Sequence, residues 1–355
     1  MISRLLNFFQ KIQGFDLNLF WKLFVIILKK DYSKYPSYVG DFENSLSKRF
    51  NAEYCLTFSS GTTAFYASLL ALNLEKRSKV LISSLTFPTV IETLKKFDFD
   101  IYYFDINKNF EIVSKNINDQ KYDLLVMTHP FGFYINFENF KTYLNKDIKV
   151  ILDASHSQGM KIDNIEHVKL ADISFMSLQG NKSISGGEGG IILTDDENLY
   201  LKMINNHHPG HKKNTKLKFA GGIDDLKLRM HPLAAFLAIN DLNSFEKRNQ
   251  YLKKKIELIY NHLDKFNIKH PYKSNSIISG FHFGIPFFFS DKIESDIIKK
   301  YNWYTNLSSL NINRISEEDN ESFFKDLYFI DLEWIKKNNI SKINKKIDKV
   351  FKDAS

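Results

Sequence analysis

Lys182 stands within Asp172-Ile-Ser-Phe-Met-Ser-Leu-Gln-Gly-Asn-Lys-Ser-Ile-Ser-Gly-Gly-Glu-Gly-Gly190, and Ile-Ile-Leu-Thr follows at once. The pattern reads as a short apolar strand, a polar loop with one lysine, a glycine run and a second strand. Glycine loses the most backbone entropy on folding, so four within five residues need a reason. One reason is that the backbone passes close to a bound group while the loop holds Lys182 in place. A lysine between two buried strands would be desolvated. Desolvation lowers its pKa from about 10.4 and leaves an amine able to attack a carbonyl and form a Schiff base. The plainer alternative is a glycine-rich β-hairpin with a solvated lysine.

Other residues able to do chemistry fall at comparable places. Ser59-Ser60-Gly61-Thr62-Thr63 opens a strongly apolar helical stretch from Ala64 to Leu72. Hydroxyls and a glycine there leave backbone amides at the positive end of the helix dipole, which suits a phosphate as well as a simple cap. Strand patterns follow at Val80–Ser84, Ile101–Phe104, Leu124–Thr128 and Lys149–Leu152, with helical stretches between them. Such alternation predicts an α/β fold with a mainly parallel sheet covered on both faces, and ligands gather at the carboxyl ends of its strands. Those ends carry Thr86-Phe87, His129, Asp153, His156, Ser177 and Lys182. Each has an ordinary explanation: Phe87 as core, His129 as a turn residue, Asp153 as a cap, Ser177 as a strand end. Their shared placement points to a site.

The 355 residues are 43% hydrophobic and 25% charged, enough for one large α/β domain with a smaller companion. The net charge of +8 is scattered among Asn, Ile and Phe, with no basic stripe, helix-turn-helix cue or zinc-ligand spacing. This argues against nucleic acid and against a metal. A single cysteine, Cys55, excludes an intrachain disulfide and points to a reducing, cytoplasmic compartment. Residues 1–36 read as an N-terminal arm of two helices, Met1–Gln13 and Leu17–Lys30. The second carries Phe20-Trp21-Lys22-Leu23-Phe24-Val25-Ile26-Ile27-Leu28, too short an apolar run to span a bilayer, and no signal-cleavage pattern follows it. Two readings stand: packing on the body or a second subunit, which is preferred, and peripheral contact of residues 1–30 with an anionic membrane.

Taken in order, Ser-Gly-Thr-Thr-Ala, Leu-Thr-Phe-Pro-Thr, Asp-Ala-Ser-His-Ser-Gln-Gly, Ser-Leu-Gln-Gly-Asn-Lys and Gly-Gly-Glu-Gly-Gly resemble the DegT/StrS family. These are fold-type-I, pyridoxal-phosphate-dependent sugar aminotransferases. The likeness runs from about Phe42 to Asn249. It implies a large cofactor-binding domain over 37–248 and a small C-terminal α/β domain over 249–355. It also implies that Lys182 holds the cofactor and moves the substrate proton. Asp153 would pair with the pyridinium nitrogen, Phe87 stack on the ring, and His156 lie near the ring hydroxyl. Gly61, Thr62 and Ser177 would seat the phosphate. Similar chains with histidine in place of the lysine dehydrate sugars, so lysine favours transamination. The resemblance implies glutamate or glutamine as donor, a keto group on a nucleotide-linked sugar as acceptor, and a homodimer with shared active sites. Cyclitol or smaller ketones as acceptors, and a non-catalytic membrane-associated relative, are the alternatives.

The stretch Leu226-Lys-Leu-Arg-Met-His-Pro resembles the family's Asn-Tyr-Arg-Met segment, but Lys227 stands where similar chains carry Asn. Lys227 is therefore a candidate point charge for a phosphate or anionic substrate, with a solvated lysine as the alternative. Arg229 is a candidate for the donor carboxylate, which a guanidinium grips with two parallel bonds. Beyond Asn249 a long helix to about Phe266 is expected, with Leu252, Ile256, Ile259, Leu263 and Phe266 on one buried face. A strand-like run from Ile277 to Phe289 follows; it contains His282, read as a strand residue.

Overall fold

The structure, a computed structural model, describes residues 17–29, 37–113, 121–137, 148–207, 226–273, 284–288, 304–306 and 327–352. The helices expected over Met1–Gln13 and ahead of Lys149 lie outside those residues, as does His282. Helix α1 covers Leu17–Leu28 and α2 covers Ser37–Phe50. On α2 Phe42, Leu46 and Phe50, at four-residue steps, form one fully buried face.

An eight-stranded sheet forms the body. Its strands are β1 (Tyr54–Phe58), β2 (Lys79–Ser83), β3 (Asp100–Ile106), β4 (Ile112–Val113), β5 (Leu124–Thr128), β6 (Lys149–Asp153), β9 (Ile173–Ser177) and β10 (Gly190–Thr194). A separate small hairpin, β7 (Lys161–Ile162) with β8 (Ile165–Glu166), lies between β6 and β9 in sequence. The sheet order is β1-β10-β9-β6-β5-β2-β3-β4. Strands β3, β2, β5, β6 and β9 run parallel, and β10 is antiparallel to both neighbours. From β2 the chain goes outward to β3 and then returns to the other side of β2 as β5. That reversal opens a crevice at the carboxyl ends of the strands.

Alternate residues of each strand feed opposite layers, as the two-residue period requires. Val80, Ile82, Leu124, Val126, Ile151 and Phe175 pack with α3 (Gly61–Leu72), α4 (Pro88–Lys96) and α5 (Glu197–His207). Leu81, Leu125, Leu152 and Met176 face α2 and α6 (Pro232–Leu263) instead. Both faces are covered, so the strands read as near-continuous apolar runs. Cys55 is buried in the layer with Leu81 and Leu152.

The small unit has strands β11 (Gly284–Phe288), β12 (Tyr304–Asn306) and β13 (Leu327–Asp331), in the order β11-β13-β12 and all antiparallel. Helices α7 (Leu332–Lys337) and α8 (Ile340–Lys352) complete it. Where the sequence led to a helix beginning near Asn249, the structure has one continuous helix from Pro232 to Leu263. The reason is local. Pro232 sits in the first turn, His231 caps it by accepting the Leu233 amide, and no glycine or proline interrupts the next thirty residues. The helix therefore passes straight through the expected boundary between 248 and 249. Ile256, Ile259 and Leu263 are buried as anticipated.

Candidate active site

At the carboxyl edge of the sheet a cavity of about 180 Å³ is lined by Gly61, Thr62, Phe87, Asp153, His156, Ser177 and Lys182, among others. These seven arrive from the ends of β1, β2, β6 and β9 and the loop after β9. Ser60, Thr89, Ser155, Gln179 and Glu188 also line the cavity, and sequence reasoning had not singled them out.

The helix start is built as a cap and leaves more than a cap needs. The Ser60 side chain accepts the Thr63 amide, and the Thr63 hydroxyl accepts the Ser60 amide at 2.9 Å. A helix gives its first amides no internal acceptor, so those of Gly61 and Thr62 remain to meet a ligand. Gly61 is required by space: a Cβ there would lie 2.9 Å from the Ser177 Cβ. The helix start is thus pressed against the end of β9, beside the Ser177 hydroxyl.

Asp153 closes β6. One carboxylate oxygen accepts the Ser155 amide at 2.9 Å, and the Ser155 hydroxyl in turn accepts the Ser177 amide at 2.9 Å. Burial raises the Asp153 pKa; the bonds from Ser155 and the charge of Lys182 oppose that. Lys182 shows the complementary effect: burial lowers its pKa to about 8, partly offset by Asp153. The two groups hold each other's charge in a poorly solvated space. An amine near pKa 8 has a substantial neutral fraction at neutral pH and is competent to attack a carbonyl. His156 accepts the Phe131 amide on Nδ1 at 3.4 Å, which leaves its proton on Nε2. The Phe87 ring, half exposed, forms one wall and offers a flat aromatic face.

The lysine loop is both things the sequence allowed. β9 and β10 do pair as an antiparallel hairpin, yet Lys182 is drawn into the cavity rather than left in solvent. Two of the glycines are required by close protein contacts. A Cβ on Gly190 would lie 2.1 Å from the Ser60 carbonyl oxygen, and one on Gly186 would lie 2.7 Å from that of Ala234. Buried Gln158 bridges the loop to β9: its amide donates to the Ser177 carbonyl at 2.8 Å and its oxygen accepts the Ile184 amide at 2.7 Å. The signal for Gln158 was its place two residues after His156.

Lys227 and Arg229 are not brought to the cavity of their own chain. Their segment lies along the end of β1: the Ser59 amide donates to the Leu228 carbonyl at 2.7 Å, and Phe58 pairs with Arg229. His129 is buried and accepts the Ile135 amide on Nδ1 at 3.2 Å, so it serves the turn. Among the described residues no cluster of His, Cys, Asp or Glu could hold a metal ion, and no helix is long and apolar enough to cross a membrane.

Comparison with known proteins places this architecture. The sequence model of the DegT/DnrJ/EryC1/StrS aminotransferase family matches residues 22–287. A GDP-perosamine synthase of Escherichia coli O157:H7 is 24% identical over 62% of this chain and 61% of its own. The chain thus spans less than two thirds of that relative's length. Among solved structures, an aminotransferase from Psychrobacter cryohalolentis superposes with a TM-score of 0.79 at 17% identity, covering 96% of this chain and 98% of that one. An E. coli GDP-4-keto-6-deoxy-D-mannose-3-dehydratase with bound hydrated PLP gives 0.74 at 16% identity, with 97% and 98% covered. At those identities the superpositions speak for the fold, a mainly parallel α/β architecture of fold type I.

Proposed function

This chain belongs to the DegT/DnrJ/EryC1/StrS aminotransferase family, and from that premise we propose that it is a pyridoxal-phosphate-dependent aminotransferase. It takes the amino group of glutamate or glutamine and delivers it to a keto group on a nucleotide-linked sugar. The observation that carries this reading is the opposition of Lys182 and Asp153 in one buried cavity beneath a helix start.

The residues present fit the cofactor. A phosphate suits the amides of Gly61 and Thr62 with the Ser177 hydroxyl, and an aromatic ring suits the face of Phe87. Asp153 would meet the ring nitrogen, His156 Nε2 the ring hydroxyl, and Lys182 the aldehyde carbon. When bound, the cofactor supplies an electron sink for charge developing at the amino-bearing carbon. The chain's own residues do the rest. Asp153 would face the ring nitrogen as a carboxylate, whose negative charge, supported by the bonds from Ser155 and the charge of Lys182, favours the protonated nitrogen. The Lys182 amine would take the proton from the donor's α-carbon and later give one to the acceptor sugar's carbon. Phe87 would cover one face of the ring.

Lysine at position 182, rather than the histidine of sugar-dehydrating relatives, favours transfer. Lys227 and Arg229 lie outside their own cavity, which suits a homodimer in which they serve the neighbouring site. There Lys227 would meet a phosphate and Arg229 the donor carboxylate.

Adding pyridoxal phosphate to the purified protein should give a visible absorbance band that is lost on adding glutamate and restored by a keto sugar linked to a nucleotide. A panel of such sugars with nitrogen-labelled glutamate would identify the acceptor. A band indifferent to every amino acid would overturn the reading.

A further inference from the structure

The residues that follow Lys182 are held one by one from outside the loop. The Ser183 carbonyl accepts Nη2 of Arg248 at 2.8 Å. The Ile184 amide donates to Gln158, and the Ser185 amide donates to Oδ2 of Asp241 at 2.9 Å. Asp241 and Arg248 lie two helical turns apart on one face of α6 and bind each other, Nη2 to Oδ2, at 2.8 Å. Arg248 Nη1 also donates to the Asp241 carbonyl at 3.0 Å. One ion pair therefore grips a carbonyl and an amide on either side of Ile184. The same helix is anchored at its far end in the small unit. Lys255 donates to the Asn338 carbonyl, and the Tyr260 hydroxyl to the Pro286 carbonyl at 3.2 Å.

Behind the loop is a second cavity of about 440 Å³. Lys182, Ser183, Ser185, Asp241, Arg248 and Tyr251 line it, with Glu333 and Lys336 of α7. Within it Asp241 pairs with Arg248, and Glu333 with Lys336 at 2.7 Å. Its importance is that Lys182 has polar space on two sides. The held backbone, together with the charge of Asp153, keeps the amine on the front side.

We propose that Asp241 and Arg248 act together as a positioning pair that sets the Lys182 amine in the active-site cavity and withholds it from the cavity behind. This rests on the role assigned to Lys182 above, but it makes a separate claim about the chain alone. The charged and titratable groups lining the cavities around Lys182 are Asp153, His156 and Glu188 in front, and Asp241, Arg248, Tyr251, Glu333 and Lys336 behind. Positioning and electrostatics therefore predict different signs. If the pair works by position, breaking it from either end lets Lys182 relax toward water, and its amine becomes harder to deprotonate in both variants. If the pair works by its charges, Asp241→Asn and Arg248→Gln must act in opposite directions.

The test is reductive methylation of the full-length chain after hydroxylamine has removed any carbonyl cofactor. Formaldehyde and cyanoborohydride are the reagents, labelling is followed by peptide mass spectrometry from pH 6 to 10, and exposed Lys76 is the internal reference. In both variants labelling of Lys182 at pH 8 should fall about fivefold against Lys76, as a rise of about one pH unit in the midpoint requires. Unchanged midpoints, or midpoints displaced in opposite directions, would overturn the proposal. Should either substitution unfold the chain, Arg248→Lys keeps the charge and one donor without the fork. The same fall in Lys182 labelling is then required of it. A wild-type chain that never attaches pyridoxal phosphate would sink the proposed function and leave this result standing.

Discussion

Replacing Asp153 by asparagine keeps the shape of the cavity floor and removes its charge. The Ser155 amide still finds an oxygen, so the fold survives and the cofactor still attaches to Lys182. The ring nitrogen loses the anion that keeps it protonated. We expect Asp153→Asn to retain a visible band while kcat falls about a thousandfold, on the order of 4 kcal/mol in the barrier. Turnover at the wild-type rate would show that the carboxylate plays no such part. At this scale the sequence was informative where chemistry limits the residue type. Lys182, Asp153, Phe87, His156, Ser177, Gly61 and Thr62 were each expected at the site, and all seven line one cavity. Asp241 carried no signal, because its work is to bind a backbone amide, which any acceptor on that helix face could do. Lys227 and Arg229 are a different case. In the proposed homodimer their partner groups would belong to the other subunit, and a single chain cannot bring them there.

Elements place these side chains, and two of them give sharp tests. β10 and the start of α3 touch at Gly190, where a Cβ would meet the Ser60 carbonyl oxygen. Gly190→Ala must therefore push the helix start away from β9, costing about 1–3 kcal/mol in stability. It should weaken cofactor binding more than Gly187→Ala, whose Cβ meets nothing within 4 Å, although the φ of +84° there adds backbone strain. Titration of both variants with pyridoxal phosphate checks the order. The contact of α2 with β1 offers the second test. Glu43 accepts both the amide and the hydroxyl of Thr57 at 2.9 Å, and burial raises its pKa from 4.5 to about 7. A carboxyl whose pKa is higher folded than unfolded contributes most below the unfolded value, and that contribution is lost as pH rises through the folded one. Glu43 should therefore remove on the order of 3 kcal/mol of stability between pH 4.5 and pH 7. Urea unfolding across that range should show the slope flatten in Glu43→Gln; an identical slope would contradict the assignment. Strands were legible in sequence because each is a short apolar run closed by a polar or glycine signal. The continuity of the long helix was not, because none of its residues between Phe245 and Lys255 is buried, so the pattern reads as two segments with no breaker between them.

Among the described residues, α1 presents an open apolar face at the scale of the whole molecule. Phe20, Trp21, Phe24, Ile27 and Leu28 are exposed on one side, while Ile26 is buried on the other. A helix apolar on both sides is a buried helix, and the proposed homodimer supplies the cover. Trp21→Glu with Phe24→Glu should weaken self-association at least about tenfold in sedimentation, because truncating central aromatics costs most at an interface. Unaltered association, with loss of binding to anionic vesicles, would assign the face to a membrane instead. The family model reaches back to residue 22 and forward to 287, farther at both ends than the motifs legible by eye. Outside the site, the signal is carried by packing, which many sequences satisfy.

The central claim concerns one amine. Reduction of the pyridoxal-phosphate complex with borohydride, followed by peptide mapping, should place a pyridoxyl mass on Lys182 in the wild-type chain and nowhere in Lys182→Ala. A label on any other lysine of the wild type, or undiminished labelling of the variant, would contradict the account.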